Sequence, residues 1–411
     1  MKHWGLARLA LVIGLISVLI HFPQALGLQG GCTWTVCAQG CDFATIQQAI
    51  EAAHPGDTIK IEAGLYTENL VITKDLSLIG VGPKQTVVKA LTSDKPILYV
   101  PGDNKVRISI HGMAFAGIPR SMASPLCSGP ENYGQCPVGI EVGGEAALTL
   151  RWVHLEDLPG GIWGHGNSTA RVSYTEIRNP GWYGLLLEGT ADFTIGDSVI
   201  NSSLNPGSDY TPERYGVLMR GDARLWMGAT SITSNYNLVA IKLESQTQAT
   251  IEFGQIERNR EGIRLHDDAR ATILNSAIMA SPGSGIYAQD RAQFALNYSL
   301  LALNSHGNAS GAVRVVHESK ASLYKTNLIL NGAGIVAADS AQVILNYNRL
   351  LRNLWGVLLY VKPCFLFAPE QAKVTILGQG NEIPARKDNP EDGNIEPLCP
   401  PDYPWPPGFR K

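Results

Sequence analysis

An all-β solenoid, a stack of parallel coils, is the fold class this sequence predicts, and three observations carry it. The first is a repeat. Glu261–Gly283 reads EGIRLHDDARATILNSAIMASPG, and Ser284–Gly307 reads SGIYAQDRAQFALNYSLLALNSHG. The opening Gly or Ala recurs at Gly139, Gly161, Gly184, Gly216, Ala240, Gly262, Gly285, Ala312, Gly334 and Gly356, in steps of 22, 23, 32, 24, 22, 23, 27, 22 and 22. A period in the low twenties, broken only by longer steps, marks a solenoid. The second observation is alternation. In GIRLH, Ile263 and Leu265 point one way while Arg264 and His266 point the other, which is a strand period. The third is the residues between the runs: Asp, Asn, Gly and Ser, which build tight turns. Three strands fit each unit, so stacked units make parallel sheets around Ile, Val, Leu and Phe.

Met1–Gly27 reads as a secretory signal. Lys2 and Arg8 precede the apolar run Leu9–Ile20, and Ala25-Leu26-Gly27 suits cleavage. The run is short for a membrane span, which needs about twenty residues, and no other segment is long and apolar enough. The expected location is therefore extracellular, periplasmic or on the cell surface. Without the signal, 31 Lys+Arg face 36 Asp+Glu, a net charge of −5, which argues against a nucleic-acid partner. Export makes disulfides favourable for the seven cysteines. The expected bridges are Cys127–Cys136, closing an insertion, and Cys364–Cys399, pinning the tail, with two of Cys32, Cys37 and Cys41 paired.

Phe43–Ala53 has helical spacing, with Ile46, Ala49, Ile50 and Ala53 on one face. A helix here would cap the open first coil, whose core and strand edges are otherwise exposed. Strands follow at Thr58–Glu62 and Leu70–Ile79. About twelve coils, each near 4.8 Å, would give a rod near 60 Å. The Pro-rich stretch around Cys127 and Cys136 and the stretch Asn201–Arg214 are insertions. Residues 28–383 form the solenoid, and Pro384–Lys411 is a Pro-rich cap or tail. Asn235, Asn259, Asn304, Asn331 and Asn353 are expected at one turn. There they would adopt left-handed backbone angles and bond along a ladder.

Ala44-Thr45-Ile46-Gln47, Pro55-Gly56-Asp57-Thr58-Ile59, Gly64-x-Tyr66-x-Glu68-Asn69 and Leu76-x-Leu78-Ile79-Gly80 carry a specific likeness. Together they resemble the N-terminal opening of right-handed parallel β-helix proteins of the pectin-lyase-like superfamily. With the repeats, the resemblance spans residues 42–382. It implies the fold and its right-handed winding. The superfamily includes lyases, hydrolases, esterases, epimerases, adhesins and non-catalytic maturation factors, so it leaves the activity open.

Alignment on the repeat gives columns. Two residues after each anchor come Glu141, Trp163, Leu186, Leu218, Lys242, Arg264, Tyr287, Arg314, Val336 and Leu358. Four after it come His165, Glu188, Arg220, Glu244, His266 and Gln289. Neighbouring coils bring column members into contact. Glu188, Arg220, Lys242, Glu244, Arg264 and His266 are therefore the candidate catalytic residues. Proton abstraction beside a uronate carboxylate needs a cation for the carboxylate, which Arg220, Arg264 or Lys242 would supply. It also needs a base, which His266 or Glu244 would supply. The competing reading is a ladder of surface ion pairs, each worth under about 1 kcal/mol. Trp163, Trp226 and Tyr287 are the candidate substrate-binding rings, since flat aromatic faces stack on sugars.

Gly189–Gly196 is similar in part to the pectin methylesterase segment with a nucleophilic Asp, which would be Asp192. The family's acid partner is missing, and one carboxylate alone cannot run that chemistry. Asp192 is expected in column with Arg171 and Arg224. Asp222, Asp267, Asp268, Asp290 and Asp339 read as turn residues. Only Asp267, Asp268 and Asp290 come near a set of calcium oxygens, so no cofactor is expected. The functional expectation is a secreted rod that binds an extracellular polysaccharide, acidic in the sharper form. A fuller reading adds lyase- or epimerase-like processing. The alternative is a non-catalytic surface or maturation scaffold whose insert loops bind a protein partner.

Overall fold

A computed structural model describes residues 31–92, 94–102, 105–117, 138–203, 213–305, 310–360 and 374–383. The expected signal, the Cys127–Cys136 and Cys364–Cys399 bridges and the tail lie outside them. The described chain is a parallel β-solenoid. One sheet has 12 strands and the other two faces of each coil merge into a 24-stranded sheet.

The coil Glu261–Met279 shows how the sequence makes this shape. Its strands are Glu261–Leu265, Arg270–Leu274 and Ala277–Met279. Ile263 stacks between Ile241 and Ile286, Ile273 between Ile251 and Leu296, and Ile278 between Ile256 and Leu301. All are fully buried, and each such side chain stabilises the fold by about 1.5–3 kcal/mol. The corners take a single left-handed residue each: Asp267 (φ 56°), Asn275 (φ 49°) and Ala280 (φ 53°). The repeat's anchor glycine reflects close approach across the coil, because a Cβ on Gly262 would lie 2.7 Å from Cγ2 of Ile278.

The ladders differ in detail from expectation. Asn304 and Asn331 donate their backbone N–H to the side-chain oxygens of Asn331 and Asn353, both at 2.9 Å. The left-handed residue, however, is the one before each Asn: Arg258, Leu303, Leu330 and Arg352. Asn235 is off the ladder; Asn237, after left-handed Tyr236, is the buried Asn of that corner and donates its side-chain N–H to Ser202 Oγ at 3.2 Å. A second ladder, at the corner after the middle strand, uses Ser276, Ser299, Asn348 and Asn381. At the corner after the 12-stranded sheet, Asp267, Asp290 and Asp339 each accept a backbone N–H from the coil before.

The N-terminal end is capped by the helix Ile46–Ala52, shorter than the expected Phe43–Ala53. Thr45 is its N-cap. Glu68 accepts the N–H groups of Ile46 and Gln47 at 2.9 and 2.8 Å, satisfying donors that a helix start leaves open. Tyr66 donates its hydroxyl to Glu62 O at 3.0 Å, and Asn69 bonds the turn at Leu91 and Thr92. The expected strand Leu70–Ile79 is broken by a corner into Leu70–Val71 and Leu76–Gly80. Cys37 and Cys41 form a disulfide, and Cys32 is free and exposed. Among the described residues no helix is long and apolar enough to cross a membrane.

Candidate functional site

The outer face of the 12-stranded sheet has the register read from the repeat. Glu141, Trp163, Leu186, Leu218, Lys242, Arg264, Tyr287, Arg314, Val336 and Leu358 pair in succession. Not all of this face meets solvent. Leu186 and Leu218 point outward yet are buried with Val138, Tyr183, Tyr215 and Val239 in a second apolar cluster, against which Trp163 and Trp182 pack.

Beside that cluster runs a chain of charges. Trp163 donates its indole N–H to Glu188 at 2.9 Å. Arg220 bridges Glu188 (3.6 Å) and Glu244 (3.0 Å), and Lys242 reaches Glu244 at 2.6 Å. His165 pairs with Glu141 at 3.2 Å and stacks on Trp163, with centroids 4.5 Å apart. Arg264 is held by Glu261 (2.7 Å) and by Glu213 (3.0 Å), which also binds Arg260. Burial works to raise the Glu244 pKa, but Lys242 and Arg220 outweigh it and hold Glu244 below its ordinary value. Burial likewise opposes the charge on Arg264, but Glu261 and Glu213 outweigh it and hold Arg264 firmly cationic. These cations are thus neutralised within the protein.

The chemistry that is left over lies on the coil of Arg264 and the next two. His266 is half-buried, and its Nε2 has no hydrogen-bond partner among the described residues. Burial, then the positive charges of Lys242 and Arg264, hold its pKa below the ordinary 6.5, so it is a neutral imidazole at pH 7. Tyr287 stands edge-on to it at 6.4 Å, and the Arg314 guanidinium lies over the Tyr287 ring at 4.9 Å. Arg314 Nε is also buried without a partner. Unpaired buried polar atoms are uncommon and cost about 1–3 kcal/mol each. A neutral base, a phenol and a guanidinium therefore sit together on adjacent coils. Arg314 was visible in the sequence column but carried no special signal there. Glu213, inside an insertion, had no column to reveal it.

The structure separates other residues that the sequence grouped. Trp226 lies in the strand Arg224–Gly228 of the 24-stranded sheet, so it does not share a face with Trp163 or Tyr287. Asp192 pairs with Thr169 and Arg224; Arg171 pairs instead with Thr194, correcting the expected column. Asp268 forms an ion pair with Arg291 at 2.6 Å, while Asp267 and Asp290 accept backbone N–H groups. No group of three His, Cys, Asp or Glu among the described residues is arranged for a metal.

Comparison with known proteins places this architecture. The family described as the right handed beta helix region matches residues 160–307. The chain has the right-handed parallel β-helix fold. No curated protein sequence matches it. Among solved structures it is similar to the A-module of Azotobacter vinelandii mannuronan C-5 epimerase AlgE6. The TM-score is 0.59 and the identity 16%, covering 83% of this chain and 95% of that one. It is also similar to the periplasmic alginate epimerase AlgG, with a TM-score of 0.58 and 11% identity, covering 85% of each chain. A third is the catalytic domain of a GH87 alpha-1,3-glucanase in complex with nigerose, with a TM-score of 0.53 and 12% identity. It covers 86% of this chain and 69% of that one. At these identities the likeness establishes the fold alone. By their names the first two of these neighbours are epimerases of mannuronan or alginate and the third is an alpha-1,3-glucanase.

Proposed function

We propose that this chain is exported and binds an acidic polysaccharide along the outer face of its 12-stranded sheet. There it would act on a uronate unit by abstracting the proton beside the carboxylate. The observation that supports this reading most is the set His266, Tyr287 and Arg314. A neutral imidazole with an unpaired Nε2 can take a proton at pH 7, once the side chains that bury this atom move aside to admit the sugar. Arg314 can hold the carboxylate and stabilise the charge that develops as the proton leaves. The Tyr287 hydroxyl can return a proton to the opposite face of the sugar, which inverts the carbon, or to a leaving oxygen, which breaks the chain.

Lys242, Arg264, Glu188, Arg220 and Glu244 take a supporting role in this proposal. Their mutual ion pairs position the strand ends, and Lys242 and Arg264 add to burial in keeping His266 neutral, against the opposing charge of Glu244. Trp163 and His165 border the same face and would contact a chain running along it.

The test mixes purified protein with alginate, polygalacturonate and neutral glucans. Readouts are binding, the ultraviolet absorbance of unsaturated ends, and the nuclear magnetic resonance signals of inverted units. Wild type should give one of the two products. His266→Ala should lose it by at least a hundredfold, and Tyr287→Phe should lose it while still binding. Binding with no product would leave a carbohydrate-binding rod. No binding to any polymer would favour the scaffold reading.

A further inference from the structure

The 24-stranded sheet carries a second concave surface, far in the fold from His266. Its central outward column runs Ser77, Ser109, Thr149, Arg171, Thr194, Trp226 by strand register. Short hydroxyl side chains leave room, and an open cavity of about 660 Å³ reaches from Ser77 to Thr194. A second of about 410 Å³ lies beside it between Asp192, Arg224 and Gln248.

Trp226 lines neither cavity but follows Thr194, the last residue of the larger one, in the same column. It is 41% exposed. The other exposed aromatic residues among those described, Trp152, Tyr174, Tyr236, Phe253, Tyr298 and Tyr347, all occupy left-handed corners. Trp226 alone is displayed from the middle of a flat strand. Its ring lies over Gly228, where a Cβ would come within 2.8 Å of Cζ2, and Gly228 follows Gly196 in the same column. Two glycines in succession thus clear the floor under the indole and leave its other face to solvent.

The charges here also behave differently from those around Glu244. On the 12-stranded sheet they neutralise one another. In this trough the side chains of Arg171, Asp192 and Arg224 make no hydrogen bond or ion pair among the described residues. Only Asp75 and Arg107, at the far end, are paired, at 3.1 Å. Ion-paired groups are already satisfied, whereas unpaired donors and acceptors around an exposed ring are what a neutral polyhydroxylated chain recognises. The unpaired groups are of both signs, which suits a neutral chain better than a polyanion. Coils repeat every 4.8 Å or so, close to the advance of one hexose in an extended chain. Successive units would therefore meet equivalent positions.

We infer that this trough is a binding site for a neutral hexose polysaccharide, with Trp226 as the stacking platform and Asp192, Thr194 and Arg171 as hydroxyl partners. It would anchor the rod on a glycan independently of chemistry on the opposite face.

Affinity electrophoresis tests this in gels cast with laminarin, dextran, mixed-linkage β-glucan or alginate. The proteins are wild type, Trp226→Ala, Asp192→Asn and His266→Ala. At least one neutral glucan should retard wild type and His266→Ala equally. Trp226→Ala and Asp192→Asn should bind it at least fivefold more weakly. Asp192→Asn keeps the test valid if Trp226→Ala fails to fold. Retardation by alginate alone, by no polymer, or equally for all four proteins would overturn the inference. Because His266→Ala should bind normally, failure of the proposed catalysis cannot be confused with failure here.

Discussion

Glu213→Gln tests whether the ion pairs outside the 12-stranded sheet hold neighbouring coils together. Glu213 accepts hydrogen bonds from Tyr215 Oη at 2.8 Å, Arg260 at 2.6 Å and Arg264 at 3.0 Å. Burial works to raise its pKa, but Arg264, Tyr215 and Arg260 outweigh it and bring the value from 4.5 to about 2. At about 1.36 kcal/mol per tenfold, that depression would correspond to roughly 3.4 kcal/mol. The side chain is 35% exposed, so solvent screening reduces the figure to about 1–2 kcal/mol. A carboxylate with a depressed folded-state pKa adds stability above its unfolded value, near 4.5, and loses it as pH falls towards 2. Wild type should therefore melt a few degrees above the variant at pH 7, in calorimetry at fixed salt. The two should converge as pH falls from 4.5 to 2. Arg264 keeps Glu261 in the variant, so an orphaned cation should not dominate. An equal gap at pH 7 and pH 2.5, or no gap at pH 7, would refute the reasoning.

Three further outcomes follow from the same structure. Product formation should fall as pH drops through an inflection below 6.5, because the base must be neutral and burial with Lys242 and Arg264 lowers the His266 pKa; a pH–rate profile reads it. Asn331→Ala removes the acceptor for Asn304 N–H and the donor to Leu301 O, both buried. That should cost about 2–4 kcal/mol in denaturant melts, at about 1–3 kcal/mol per orphaned group. Glu68→Ala leaves the N–H groups of Ile46 and Gln47 without their carboxylate. It should cost about 1–2 kcal/mol, as loss of a helix cap does, and faster proteolysis near Thr45 would report it.

The fold was legible because its causes are periodic. Inward Ile263, Ile273 and Ile278 recur at the coil period, and so do the corners, so a sequence period becomes a column in space. The motif residues that carried the family likeness turn out to build the cap: Glu68 closes the helix start, Tyr66 and Asn69 tie turns, and Asp57 accepts from Cys32, Trp34 and His54. Such residues define the architecture and say nothing about a reaction. The ladder was read one residue off in conformation because an Asn column advertises hydrogen bonding. The left-handed residue beside it, Leu303 or Leu330, has no compositional mark. The site was only half legible. Columns placed Glu188, Arg220, Glu244 and His266 correctly as neighbours, but a column cannot reveal which charges are already spent on each other. Nor could it reveal that Trp163 and Trp226 belong to different sheets. Where insertions supply the partner, as Glu213 does for Arg264, periodicity gives no signal at all.

The state of pairing then decides where ligands should be sought on this rod. A salt-bridged carboxylate must first give up its partner before it meets a sugar, and a half-buried pair is costly to break on one side. Glu244, held by Arg220 and Lys242, is in that position, which makes it a poorer base than its column place suggested. His266 Nε2 has no hydrogen-bond partner to release, but the atom is buried and must be uncovered before it meets a sugar. The same reasoning applies on the opposite sheet, where Asp192 and Arg224 adjoin by register yet form no ion pair. Under the two proposals, the His266 face would bind and process an acidic chain while the Trp226 trough would hold a neutral one on a different sheet. A chain of polymer held by the Trp226 trough would leave the His266 face open to act on another.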